Sequence, residues 1–398
     1  MTLLKDITVL DLTRVVAGPA CTRTLADLGA EVLKIEPPNG DLMRRGVPKR
    51  GGVALGYAQQ NAGKRHLCVD LTQETGQTLV RRLADQCDIV VENYRPGVAA
   101  RLGLGYELLR QSNPALIYCS ISGYGQEGRA SRRRAYAPII HAELGLIELN
   151  ARERGTPPLP EAISHADFAV SAQATAGILA ALVQRLQTGR GQHVDVSMAE
   201  TMLAMNEWTA VEVNGGIGDE ISPFRPGKAA LLRTADGAWV QLPGNPLTGV
   251  FAIARALGRE QALAEHGWHG FEDTRDKTAE VHALLQSWAA EFATVTEFEA
   301  ALDKARVPLG QVRSLAEVAE QPWAVERRAF VELNLEGNPV KLPRSPFRFA
   351  GHDVGPRHAG ARRGADNAAV LTEKLGLTED EIERLRTSGV LCAEEDER

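Results

Sequence analysis

Cysteine is scarce in this chain and, where it occurs, isolated. The five cysteines among 398 residues (Cys21, Cys68, Cys87, Cys119 and Cys392) include no C-x-x-C pair. Neither a disulfide framework nor a thiolate zinc site is therefore expected, and free thiols in a reducing cytosol fit the pattern. A surplus of positive charge is also missing. The 45 Lys and Arg stand against 51 Asp and Glu, a formal net charge of −6, which argues against a nucleic-acid partner but leaves room for a local basic pocket. No run of about 18 apolar residues occurs. Residues 2–12 are too short and too charged for a secretory h-region, so a cytoplasmic protein with no membrane partner is expected. The sequence has no Walker loop and no G-x-S-x-G elbow. His266-Gly-Trp-His269 has H-x-x-H spacing, which lacks the i, i+4 placement of a zincin helix, and no metal site is expected.

What is present is an alternation. Residues 7–12, 31–35, 66–71, 88–92 and 116–121 are short runs rich in Val, Ile and Leu and read as strands. Between them lie helical patterns. One spans 19–28 and stops at Gly29, a C′ residue. Another spans 72–86, with Thr72 as N-cap and Leu79, Val80 and Leu83 on one face. Such alternation predicts an α/β fold with a mostly parallel sheet covered by helices on both faces. Asn214-Gly-Gly-Ile-Gly, then Pro223 and Pro226, reads as a linker. A second unit follows, with a hairpin around Asp236-Gly237 and three helical patterns, the last capped by Thr296 and Glu299. Extended, proline-rich chain returns at 339–348, and Thr378 with Glu381 forms a further capping box before Gly389. The expected division is 1–213 and 349–398 for the large domain and 231–325 for the small one, with linkers at 214–230 and 326–348. The acidic tail, 394–397, is expected to be disordered.

Residues 163–200 carry the most chemical information. Asp167 sits at the mouth of a long apolar helix that stops at Thr188-Gly-Arg-Gly-Gln192, and a strand, 193–197, follows. Asp167 has two readings. It can be an N-cap, which stabilises a helix by about 1 kcal/mol relative to Ala. It can also be a reactive carboxylate, kept ionised by the helix dipole and able to attack an activated acyl group. Gly123-Tyr-Gly125-Gln-Glu-Gly128 fits G-x-G-x-x-G, but Arg129-Ala-Ser-Arg-Arg-Arg follows where a dinucleotide fingerprint needs a helix to open. Arg44, Arg45, Lys64, Arg65, Arg95, Arg101 and Arg132 to Arg134 all fall after strands. In a doubly wound sheet that is where ligands bind, and guanidinium groups there suit phosphates.

Several ordered phrases together resemble the class III CoA-transferases, the formyl-CoA transferase and carnitine CoA-transferase type. They are Val9-Leu-Asp-Leu-Thr-Arg-Val-Val-Ala-Gly-Pro19, Leu28-Gly-Ala-Glu-Val-Leu-Lys-Ile-Glu-Pro-Pro-Asn-Gly-Asp41, Asn61-Ala-Gly-Lys-Arg65, Val91-Glu-Asn-Tyr-Arg-Pro-Gly97, Asn113-Pro-Ala-Leu-Ile-Tyr118 and the Asp167 segment. The resemblance implies a Rossmann-like large domain built from both chain ends, a smaller central α+β domain, and a homodimer of interlocked chains. It implies transfer of CoA between an acyl-CoA and a small carboxylic acid, with coenzyme A as a substrate and no other cofactor. Asp167 matches the nucleophile, which would pass through an acyl-aspartyl anhydride and an aspartyl-CoA thioester. Val16, Lys64, Asn93, Tyr94, Arg101 and Arg134 match positions that line the CoA site, and Tyr136 one that faces the acyl or acceptor pocket.

The chain departs from formyl-CoA transferase at Val16, where that enzyme has a glutamine, and at Pro37, where it has an arginine. Ala137 replaces the acidic residue common after Tyr136, and no glycine-rich covering loop is recognisable before Leu231. These departures speak against oxalate as substrate. Two other functions compete. An α-methylacyl-CoA racemase-type epimerase would need a histidine facing Asp167, where this chain has Tyr136, with His141 further along and His165 nearby. A CoA-binding protein without catalysis would have no use for Asp167.

Overall fold

The computed structural model describes residues 2–216 and 230–394. Six strands form one all-parallel sheet: β1 (Thr8–Asp11), β2 (Glu31–Glu36), β3 (Arg65–Cys68), β4 (Ile89–Glu92), β5 (Ile117–Ser122) and β6 (His193–Ser197). Their order is β3-β2-β1-β4-β5-β6. Leu10 of β1 lies opposite Leu33 of β2 on one side and Val90 of β4 on the other. The first five strands are almost wholly buried, as helices on both faces require of their Val/Ile/Leu runs. The strand order reverses between β1 and β4, which makes the crevice beyond their carboxyl ends the natural ligand site.

Each expected strand is present, with ends shifted by a few residues. The third stops at Cys68 rather than Leu71 because residues distant in sequence take over the pairing. Val69 bridges Leu391, and the Asp70 amide donates to the Val390 carbonyl at 2.9 Å. Thr72 does not cap the next helix, which runs Glu74–Ala84 from an N-cap at Gln73. Asp70 captures it instead, accepting from both the Thr72 amide and hydroxyl, the side-chain competition that Asp offers near helix starts. Thr378 and Glu381 form the expected capping box. No box forms at Thr296; the cap lies two residues earlier, where Thr294 accepts from the Glu297 amide, Glu297 accepts from the Ala293 amide, and the helix runs Val295–Asp303. Both frames read T-x-x-E. The observed one turns Val295, Phe298 and Leu302 into the core.

Contacts divide the chain into two compact units. The larger comprises Met1–Leu144, Glu161–Asn206 and Pro322–Arg398; the smaller comprises Gly145–Pro160 and Glu207–Gln321. Two boundaries thus differ from those read in the sequence. Residues 145–160 belong to the smaller unit, where Arg152 pairs with Glu212 at 2.7 Å. The supposed linker 326–348 is instead largely a hairpin of the larger unit, Phe330–Leu335 against Asn338–Pro343. Its Leu335, Val340 and Leu342 pack with Val53, Tyr57 and Ala58. The C-terminal helix Asn367–Leu375 adds Val370 and Leu371 to the core that holds Leu10 and Leu33. The smaller unit has the Asp236-Gly237 hairpin, a third short strand at Gly310–Gln311, and helices around Leu232, Val250, Trp288 and Phe298. The expected linker 214–230 and the acidic tail lie largely outside the described residues.

Four helices of the larger unit matter for the site: α1 (Ala17–Asp27), α2 (Ala137–Glu143), α3 (His165–Thr188) and α4 (Met198–Met205). By length and composition α3 is the one helix among the described residues that could cross a membrane. It buries Ala166, Val170, Ala174 and Ile178 while packing on α1 and on β5 and β6. It ends at Gly189 in the left-handed conformation, φ 70°. Two residues on, Gly191 runs so close to β5 that a Cβ would lie 1.9 Å from the Leu116 carbonyl oxygen, which explains the glycine in that turn.

Candidate active site

A cleft of roughly 720 Å³ opens beyond the carboxyl ends of β1, β4 and β5, at the reversal of strand order. Its walls are the loop after β1 (Arg14 to Ala17), the segment after β4 (Asn93 to Val98, with Arg101), and the loop after β5 (Gly123 and Ser131 to Tyr136). Asp167 and Met198 complete it from the first turns of α3 and α4. The start of α1, where Val16 is the N-cap and no side chain caps the end, also lies there. Three helix N-termini therefore meet one cavity, each carrying the partial positive charge of its helix end.

Asp167 occupies the third position of α3 and is not its cap; Ser164 is. The side chain is 9% exposed. Burial pushes its carboxyl up to about 6, and the Ser164 hydroxyl hydrogen-bonded to it opposes the rise. The helix dipole, expected to favour the ionised form, does not offset that burial. At pH 7 a group with that value is still roughly nine-tenths ionised, and its burial leaves it less solvated than a surface aspartate.

Val16, Asn93, Tyr94, Arg101, Arg134 and Tyr136 line the same cleft as Asp167. Lys64 does not. It is fully buried, and its ammonium donates to Asp11 (3.0 Å), the Pro19 carbonyl (3.0 Å) and Asn61 (2.8 Å). With three donors and three acceptors it has none left for a phosphate. Burial lowers it to about 8 against the pull of Asp11. Burial alone would raise the Asp11 carboxyl, but Lys34, Lys64 and the Thr13 and Thr22 hydroxyls hold it well below the usual carboxylate range.

This buried network acts on the cleft through the β1–α1 loop. Asp11 accepts from the Thr13 amide and hydroxyl, and Lys34 donates to the Thr13 carbonyl. Asp41 accepts from the Val15 amide at 3.1 Å and also from Lys34. Val15 itself is left-handed, φ 68°, a conformation costing a β-branched residue on the order of 1–3 kcal/mol. The network holds the strained turn that delivers Val16 and the α1 N-terminus to the cavity.

Six arginines line the cleft (Arg14, Arg95, Arg101, Arg132, Arg133 and Arg134), and Asp167 is the sole carboxylate among its lining residues. Arg133 is held by Glu143, which also accepts from the Tyr124 hydroxyl, and its guanidinium lies 5.0 Å over the Tyr124 ring. The glycines of the G-x-G-x-x-G stretch serve this loop. Gly125 and Gly128 are left-handed, at φ 84° and 82°, and no helix begins until Ala137. Arg14 was not singled out in the sequence, though it stands inside the T-R-V-V-A-G-P phrase; its Nε is buried without a partner. Arg44 and Arg65 lie elsewhere, paired with Glu36 and with Glu31 and Glu373. Neither His141 nor His165 lines the cleft. The facing position belongs to Tyr136, which is 56% exposed.

Comparison with known proteins agrees with this architecture. The family model for CoA-transferase family III matches residues 4–367. The succinyl-CoA–D-citramalate CoA-transferase of Chloroflexus aurantiacus is 31% identical over 395 residues, covering 98% of both chains. The succinyl-CoA:glutarate CoA-transferase of Mus musculus is 31% identical over 403 residues, covering 98% of this chain and 90% of its own. Among solved structures, a CaiB/BaiF family protein from Brucella suis superposes with a TM-score of 0.80 at 29% identity, covering 94% of this chain and 99% of that one.

Proposed function

This chain belongs to CoA-transferase family III, and from that premise we propose that it moves CoA from an acyl-CoA to a carboxylic acid through covalent intermediates on Asp167. The supporting observation is a single buried carboxylate, at a helix N-terminus, in a cleft whose other charged lining residues are all arginines.

The proposed reaction balances without a redox step or net proton transfer. An Asp167 carboxylate oxygen attacks the thioester carbonyl, the C–S bond breaks, and an acyl-aspartyl anhydride and CoA thiolate result. The thiolate attacks the aspartyl carbonyl and releases the first acid as its carboxylate, leaving an aspartyl-CoA thioester. The incoming carboxylate attacks that thioester, its C–S bond breaks, and a second anhydride and CoA thiolate form. Thiolate attack on its new acyl carbonyl forms the product and restores Asp167. Each addition places negative charge on a carbonyl oxygen, where helix N–H groups are worth most. Burial keeps water from the anhydride. The scheme needs no group beyond CoA itself.

Arginines in the cleft suit the phosphates of CoA, with Arg101 and Arg134 as proposed contacts alongside Asn93, Tyr94 and the Val16 backbone. Six guanidinium groups also suit a substrate carrying a second carboxylate, next to Tyr136, and we propose dicarboxylic acids as the acyl class. Val16 and Ala137 offer no polar side chain to a small acid such as oxalate. We propose an interlocked homodimer acting in the cytoplasm. The outer face of α3, with Phe168, Val183 and Leu186 at 42%, 56% and 85% exposure, is apolar surface that a second chain would cover.

The test is a panel of mono- and dicarboxylic acids offered with succinyl-CoA, read by the mass of the CoA ester formed. Transfer to dicarboxylates, abolished in Asp167→Ala while CoA still binds, is expected. Unimpaired turnover by Asp167→Ala would rule the reading out.

A further inference from the structure

The end of α3 is capped from outside its own segment. Ser164, the N-cap residue, makes no capping bond with its side chain; its hydroxyl is hydrogen-bonded to Asp167 instead. The orphan amide of Ala166 is taken by His141, whose Nε2 accepts from it at 3.1 Å. His141 projects from α2, the short helix whose N-cap is Tyr136, and α2 packs on α3. Its side chain is almost wholly buried, 1% exposed.

With Nε2 accepting, the ring proton sits on Nδ1, and Nδ1 is buried without a hydrogen-bond partner. The molecule thus leaves one donor unsatisfied, a penalty of about 1–3 kcal/mol, in order to place an acceptor at Ala166. A protonated ring could not accept there and would set a cation against a helix N-terminus. Burial, with His165 beside it at 5.8 Å between ring centroids, keeps the imidazole neutral.

We propose that His141 is a positioning residue for the reaction: by accepting from the Ala166 amide it fixes the end of the helix that carries Asp167, and with it the direction of the Asp167 carboxylate towards the cleft. An acidic residue at the third position of a helix ordinarily reaches back to the N-cap amide; Asp167 is hydrogen-bonded to the Ser164 hydroxyl. Here an outside acceptor takes the Ala166 amide, and α2 fixes the same helix end relative to Tyr136 in the cleft wall. The inference rests on Asp167 being the nucleophile.

The experiment compares His141→Leu and His141→Gln in the full-length enzyme, measuring kcat, the KM for acyl-CoA, and amide hydrogen exchange at Ala166 and Asp167. The leucine removes the acceptor; the glutamine offers an amide oxygen to replace it. We expect His141→Leu to lower kcat by roughly 10–100-fold, the cost of a misplaced reacting group, with the KM changed less than about twofold, and the Ala166 amide to exchange faster. His141→Gln should recover most of kcat and the protection. Should the leucine variant fail to fold, His141→Gln against His141→Asn, whose shorter side chain falls short of Ala166, gives the same comparison. Wild-type kcat with an unprotected Ala166 amide, or equal losses in the glutamine and leucine variants, would overturn the inference. Turnover by Asp167→Ala would instead overturn the reading it rests on, so the two failures are distinct.

Discussion

Asn93 and Arg14 exchange two hydrogen bonds: the Arg14 amide donates to Asn93 Oδ1 at 2.8 Å, and Asn93 Nδ2 donates to the Arg14 carbonyl at 2.8 Å. The pair ties the loop after β1 to the segment after β4, across the point where the strand order reverses. Asn93 thus lines the cleft, but its amide is committed to the backbone of a neighbouring wall. Asn93→Ala should lower thermal stability, by about 1–3 kcal/mol for the unsatisfied Arg14 groups, and weaken acyl-CoA binding through loop disorder. A calorimetric scan beside a CoA titration reads both; loss of affinity with unchanged stability would assign Asn93 to the ligand alone.

Lys64 leads to a sharper contrast. As a phosphate contact, its loss would raise the KM for acyl-CoA and leave the fold intact. As the partner of buried Asp11, its replacement strands a carboxylate in the core, a loss of about 3–5 kcal/mol. Lys64→Met should therefore give a protein with a much lower melting temperature or no soluble fold, while the double variant Lys64→Met/Asp11→Leu recovers part of the difference.

The pH dependence follows from Asp167. Because burial places its carboxyl at about 6, kcat/KM, which reports the free enzyme, should fall on the acid side with a midpoint near pH 6, well above the range of an ordinary aspartate. The same burial has a stability signature. The folded carboxyl binds its proton more tightly than the unfolded one, with its ordinary value of 3.8. The native state therefore loses stability as pH rises from about 4 to about 6, by up to about 3 kcal/mol. Asp167→Asn should raise the melting temperature at pH 7.5, and the gain should vanish near pH 4. A gain independent of pH would contradict an origin in the buried charge.

The arginines predict a salt effect. If several guanidinium groups hold the anionic substrate, the KM for acyl-CoA should rise steeply with ionic strength while kcat changes little. Replacing exposed Arg134 by Gln should raise the KM about 10–150-fold, the worth of one charge-assisted contact, and flatten the salt dependence. A KM insensitive to both would remove the arginines from the binding site.

Much of this was legible in the sequence because it was local. The strands announced themselves as Val/Ile/Leu runs, and Thr188-Gly-Arg-Gly-Gln192 as a turn. Asp167 could be located but not interpreted. Whether a carboxylate at that spacing caps its helix depends on Ser164 and on His141, 25 residues away in sequence from the amide it takes, and no periodicity contains that. Lys64 was misplaced for the same reason: its three acceptors come from a strand and two helices that meet only in the fold. The Phe330–Pro343 region read as a linker because of its prolines, whereas its alternate buried residues pair it into a hairpin.

The central claim is that Asp167 becomes covalently acylated. Incubating the enzyme with acyl-CoA, quenching with hydroxylamine and mapping peptides by mass spectrometry tests it directly. The predicted result is a hydroxamate on Asp167, absent without acyl-CoA and absent in Asp167→Asn. Full turnover with Asp167 unmodified, or the adduct on another residue, would contradict it.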